Sequence, residues 1–302
     1  RWPSRSQWKQ FFKVLSKKEK TIFSVFLFFG LGSFLFLATN FYLKNTEIKP
    51  AKGGTYIEGM IGSPRFINPV YAQADDVDRD LTELIYSGLM KYNEKGEIVP
   101  DLAKEYKIYE DGKVFEFYLR ENLLWSDGAP LTADDIIFTI RAIQNPSLKS
   151  SIRASWLGVK VEKISDLAIR FELKNPSALF LENSTLKIIP KHIWENISDQ
   201  NFHLSIYNLK PIGSGPYKLK ELTQDKEGAI KSLELTINSN YYANLPHIRK
   251  MIFFFFKPET EEDKLISAFN SGRIKGFVLN SPEKYQNLKR SDFYDYRLLM
   301  PR

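Results

Sequence analysis

The residues able to do chemistry are few and scattered. His192, His203 and His247 are the whole imidazole supply, and no two of them form a His-x-x-x-His pair that would present a metal site on one helix face. The chain has no cysteine, which excludes disulfides, thiolate zinc sites, iron–sulfur clusters and a cysteine nucleophile. Gly213-Ser214-Gly215 sets a serine between glycines but lacks the Gly-x-Ser-x-Gly spacing of a strained nucleophile elbow. Pro216 follows it and removes a backbone donor that a phosphate cradle would need. Asp134 and Asp135 read as helix-start electrostatics: Thr132 is a good N-cap, and Asp135 sits where it can answer the Thr132 amide. No catalytic set, metal set or cofactor site emerges, and no enzyme is expected.

The elements that would position a binding site are easier to read. Residues 55–60 alternate as a strand, Arg65 to Pro69 is a loop with an Asn68-Pro69 turn, and Asp76 to Leu89 has helical spacing with acids in its first turn. Short strands follow: Lys113 to Arg120 after an Asp111-Gly112 turn, then a hairpin over 159–173. Between them Ile136, Ile137, Ile140 and Ile143 form the stripe of a helix beginning after Thr132. Residues 217–222 and 231–237 read as strands. Met251 to Phe256, with four consecutive phenylalanines, predicts a strand covered on both faces. Glu259 to Phe269 reads as a helix, with Gly272 placed as its C′ residue.

Charge and hydropathy divide the chain. Most of the net charge of +7 sits in residues 1–20, where seven basic residues face only Glu19. The remainder is nearly neutral, so no basic face for nucleic acid is expected. Thr21 to Leu43 carries no charge and seven phenylalanines. As a helix it would be about 34 Å long against a bilayer core of roughly 30 Å. The run is longer than the apolar region of a cleaved signal, and no small-x-small site follows it. It predicts an uncleaved anchor, with the basic tail 1–20 cytoplasmic and everything after Lys44 extracytoplasmic. The lack of cysteine leaves no lipid attachment at an N-terminal cysteine. Residues 44–53 read as a tether.

In order along the chain stand Asn68-Pro69, Tyr86-Ser87-Gly88-Leu89, Val99-Pro100-Asp101-Leu102-Ala103, Asp111-Gly112 with the strand to Arg120, and Trp125-Ser126-Asp127-Gly128-Ala129-Pro130-Leu131-Thr132-Ala133. Gly213-Ser214-Gly215-Pro216-Tyr217, Asn240-Tyr241-Tyr242 and Phe269-Asn270-Ser271-Gly272-Arg273-Ile274 complete the set. Together they resemble the bacterial extracellular solute-binding proteins, family 5, the oligopeptide-, dipeptide- and nickel-binding receptors of ABC importers. Lys275 stands where the family usually has an acid.

The resemblance implies an α/β fold of the type II periplasmic-binding-protein kind, a clamshell whose lobes close on a ligand without breaking a bond. Residues 54–257 would form the first lobe, with an inserted mainly-β subdomain at about 86–189. Residues 258–302 would form only the start of a truncated second lobe. The implied function is a membrane-anchored extracytoplasmic substrate-binding protein that delivers peptides to an ABC permease and its ATPase subunits. A metal-chelate receptor, or an anchored interaction or signalling domain that no longer captures solute, are the alternatives. By position in the family, Gln73, Ala74 and Asp75 face the cleft, and Arg153 and Trp156 lie where the inserted subdomain approaches ligand. No metal ligand is implied.

Overall fold

The computed structural model describes residues 4, 10–11, 13–47, 49–177, 179–257, 261–279 and 281–295. The chain divides into two compact units, 1–51 and 52–302. In the first, helix α1 (Lys17–Asn45) starts at a capping box: Ser16 accepts from the Glu19 amide while the Glu19 carboxylate accepts from the Ser16 amide. It runs past both ends of the apolar stretch because Lys17 to Lys20 and Lys44 are good helix formers and nothing stops them. The helix buries none of its side chains and is long and apolar enough to cross a membrane.

The described residues of the second unit form three sheets, of five, four and two strands. Its first strand, β1 (Thr55–Ile61), leads through a loop into α2 (Asp76–Ile85). A hairpin of β2 (Met90–Tyr92) and β3 (Ile98–Pro100) follows. Next, β4 (Ala103–Tyr109) and β5 (Val114–Leu119) flank the Asp111-Gly112 turn, where both residues have positive φ. Beyond β5 come α3 (Ala133–Gln144), the short α4 (Arg153–Trp156), and the hairpin of β6 (Lys160–Ser165) and β7 (Ala168–Glu172). These strands close a four-stranded antiparallel sheet in the order β4-β5-β7-β6. Three single-turn helices, α5 (Phe180–Asn183), α6 (Lys191–Trp194) and α7 (Asp199–Phe202), return the chain to the first sheet. There β8 (Tyr217–Gln224), β9 (Ile230–Ile237), β10 (Lys250–Phe256), α8 (Glu262–Asn270) and β11 (Gly276–Phe277) complete the order β11-β1-β10-β9-β8. β1 runs parallel to β10 and β11, while β9 is antiparallel to β8 and β10.

The phenylalanine run does pack on two sides. Phe253 and Phe255 join the main core, while Phe254 and Phe256 pack on the smaller cluster of Leu265, Phe269 and Ile274 under α8. Glu262 begins that helix; residues 259–260 of the expected span lie outside the described residues. Its end is a Schellman turn: the amides of Gly272 and Arg273 donate to the carbonyls of Phe269 and Ala268, with Gly272 at φ +76°.

One expected boundary moves. The helix after the first loop stops at Ile85, four residues before Leu89. The Ile85 carbonyl accepts from the Gly215 amide at 2.8 Å, which takes the acceptor a further helical turn would use. Gly213 and Gly215 lie so close to the Ile85 backbone that a Cβ at either position would clash. Ser87 donates its amide to the Ser214 hydroxyl and its hydroxyl to the Ser214 carbonyl, and Asn238 Nδ2 donates to the Gly215 carbonyl. The Gly-Ser-Gly-Pro-Tyr segment is thus a packing joint between α2 and β8, and its serine is buried at 2% exposure.

Candidate functional site

The cleft that gathers the most polar chemistry lies at the carboxyl end of β1. It has a volume of about 460 Å³ and is walled by three stretches distant in sequence. The β1–α2 loop contributes Arg65, Phe66, Tyr71, Ala74 and Asp75, with Asp78 from the first turn of α2. The segment after α3 contributes Ser147 to Lys149 and Ser151, and α7 with the residue after it contributes Asp199, Gln200 and His203.

Each wall is shaped by its own sequence. Asn68 Oδ1 accepts from the Val70 amide and its carbonyl accepts from those of Tyr71 and Ala72, which curls the loop into the turn Ala72–Ala74. Asp75 then caps α2 by accepting from the amides of Val77 and Asp78. Asn145 accepts from the Ser147 amide and turns the chain after α3 into a single 3-10 turn, Pro146–Leu148.

Three side-chain bonds staple the walls. Buried Asn68 donates to buried Asn208 at 2.9 Å, Ser150 donates to the Val70 carbonyl at 2.6 Å, and Asn145 donates to Asp199 at 2.8 Å. Because Asn68 and Asn208 are nearly unexposed, losing either would leave an unpaired buried amide. The lining is preorganised rather than assembled from loose loops.

Phe66, Tyr71 and His203 form an aromatic wall, with ring centroids 4.6 Å apart for Phe66–His203 and 5.2 Å for Phe66–Tyr71. Burial, with Asp199 as a second cause, pushes the Tyr71 hydroxyl up to about 12, so it stays a neutral donor at physiological pH. Burial also raises the Asp78 carboxyl, even though it accepts the Arg65 amide at 2.8 Å.

The site residues expected from sequence separate here. Ala74 and Asp75 line the cleft, and Gln73 is exposed on the same turn without lining it. Arg153 and Trp156 do not join them. Trp156 is 2% exposed and packs between Phe171 and Phe180. Arg153 Nε donates to the Gln144 carbonyl and holds α4 against the end of α3. Arg65, Tyr71, Lys149, Asp199 and His203 were not expected. The aromatic beside Asn68-Pro69 and the lysine after the Pro146 turn were signals, but nothing local says they meet.

The model of the bacterial extracellular solute-binding proteins, family 5 (middle part), matches residues 97–298. The chain belongs to this family. Oligopeptide-binding protein AppA of Bacillus subtilis is 29% identical over 261 residues, which are 83% of this chain and 46% of that protein. The structure of AppA in complex with a nonapeptide superposes with a TM-score of 0.73 at 28% identity, covering 81% of this chain and 47% of that one. NikZ from Campylobacter jejuni, solved in complex with Ni(L-His), gives 0.64 at 30% identity, over 73% of this chain and 42% of its own. The chain therefore spans less than half the length of these relatives. Its fold is α/β and of the type II periplasmic-binding-protein kind, as its motifs imply, and family 5 is a family of solute-binding proteins, not enzymes.

Proposed function

We propose that this chain is a membrane-anchored, extracytoplasmic substrate-binding component of an ABC importer that captures peptides and hands them to a permease driven by ATPase subunits. The observation that carries this reading is the stapled cleft at the carboxyl end of β1, where open α/β sheets generally meet their ligands. Its mix of an aromatic wall, backbone turns and both signs of charge suits the amide groups and varied side chains of a peptide. In this reading residues 54–257 form the first lobe, with the insertion at about 86–189, and 258–302 open the second. Gln73, Ala74 and Asp75 face the solute. Residues 21–43 are the anchor, 1–20 the cytoplasmic tail and 44–53 the tether.

Similarity to NikZ supports a second reading, capture of a metal chelate. Among the described residues no three His, Asp or Glu side chains gather as a metal site, so the metal would enter already held by its chelator. Titration calorimetry of the full chain in lipid nanodiscs, with mixed nonapeptides and separately with nickel–histidine, tests both. Saturable heat with peptide is expected. Heat only with nickel–histidine transfers the function to the second reading, and no heat with either removes solute capture by this chain.

A further inference from the structure

We propose that the segment before α1 lies on the membrane surface and recognises anionic lipid headgroups, through Lys13, Lys17, Lys18 and Lys20 beside Phe11 and Val14. This rests on the reading of α1 as a membrane anchor and names the lipid chemistry its basic end meets.

The first observation is a reversal of the chain. Residues 10–11 and 13–14 are helical, and α1 begins anew at Lys17. A single straight helix would hold Phe11 and Phe23 about 18 Å apart along its axis. Their rings instead meet edge to face, with centroids 5.5 Å apart. The break falls at Ser16, which is extended at ψ 163° and closes the capping box of α1. The chain before Ser16 therefore folds back beside the first turns of α1 and does not prolong it. Phe23 is the third residue of the uncharged run, so Phe11 is brought to the level where that run begins. This is the depth of a bilayer interface, where an amphipathic segment seats its apolar side chains.

The second observation is the charge around that fold-back. Lys13, Lys17, Lys18 and Lys20 are exposed, and their ammonium groups make no ion pair or hydrogen bond among the described residues. The one carboxylate before Thr21, that of Glu19, accepts from the Ser16 amide. Lys17, Lys18 and Lys20 also crowd the amino end of α1, where the helix dipole is already positive. Val14 stands among them at 83% exposure. The orientation of a span needs positive charge alone. It needs neither the fold-back nor exposed apolar side chains between the lysines. In the sequence the same mixture continues as Arg1, Arg5 and Lys9 with Trp2, Trp8 and Phe12. A leaflet with anionic headgroups offers negative charge to the lysines and an apolar layer to the rings. A zwitterionic leaflet offers only the second.

The test uses the full chain in nanodiscs of phosphatidylcholine and phosphatidylglycerol, with one lipid or the other brominated in its acyl chains. Tryptophan quenching then reports on Trp2 and Trp8, because Trp125, Trp156 and Trp194 are buried. At equal mole fraction, brominated phosphatidylglycerol is expected to quench about threefold more than brominated phosphatidylcholine. High salt should erase the difference. So should Lys13→Gln, Lys17→Gln and Lys18→Gln together, whereas arginine at the same three positions should keep it. Ser16 and Glu19 stay in place, so circular dichroism should show the same helix content in both variants. Free glycerol phosphate should not reduce the quenching. Equal quenching by the two lipids, a preference unchanged by the three glutamines, or displacement by glycerol phosphate overturns the proposal and leaves the anchor standing. Quenching by neither lipid, with the chain still in the disc, takes the segment off the membrane surface and also overturns it. A chain that separates from the discs removes the anchor itself.

Discussion

Glu58 projects from the middle of β1, and its carboxylate has no hydrogen-bond partner among the described residues. Burial raises its carboxyl above the usual range, and Asp80 on α2 pushes it further; Glu58 in turn helps raise Tyr56. Since its folded-state value is raised, its stabilising share is complete below the ordinary carboxylate range. That share is lost as pH rises through the raised value. Glu58→Gln has no proton to lose. Its urea midpoint should therefore gain on the parent chain as pH goes from about 5 to about 8. A difference that stays constant or shrinks over that range would show that the side chain is well solvated. Trp156 teaches the opposite lesson about single residues: an aromatic expected near ligand from the family resemblance is enclosed by Phe171 and Phe180.

At the scale of elements, α3 shows how a local signal becomes a tertiary joint. Thr132 accepts from the Asp134 amide and Asp135 accepts from the Thr132 amide, as the spacing predicts. Asp135 is also buried and accepts from the Lys191 amide at 2.8 Å, tying α3 to α6. Thr132→Ala should cost about 1 kcal/mol. Asp135→Ala strands two amides and should cost about 2–4 kcal/mol. Chemical denaturation measures both, and equal losses would mean that the bond to Lys191 contributes nothing. The cap, the isoleucine stripe, the hairpin β6–β7 and the two-sided strand β10 were legible because each is written in consecutive residues. The hairpin β2–β3 and strand β4 were not read from the sequence: β2 and β3 are three residues each, and β4 is exposed along most of its length. The cleft was half legible. Its loop could be found from Asn68-Pro69, but the opposing walls meet it through Asn68–Asn208 and Ser150–Val70, pairs 140 and 80 residues apart. No local pattern encodes such contacts.

For the whole molecule, the decisive quantity is charge across α1. Seven basic residues precede Thr21 against Glu19, whereas Lys44, Lys49 and Lys52 with Glu47 follow Leu43 before the first strand. The lysine and arginine bias within a short distance of a span sets its orientation, and acidic residues count for little. The bias here is about two to one. In the proposed reading it keeps the tail inside and residues 44–302 outside. Protease added to intact cells should digest the chain beyond Lys44 and spare the tail. Replacing Lys17, Lys18 and Lys20 with glutamine while adding lysines after Leu43 removes the asymmetry and should protect a fraction of the large domain. Full protection of residues 44–302 in the unaltered chain would place the cleft in the cytoplasm, away from any external solute, and solute capture for import would fall with it.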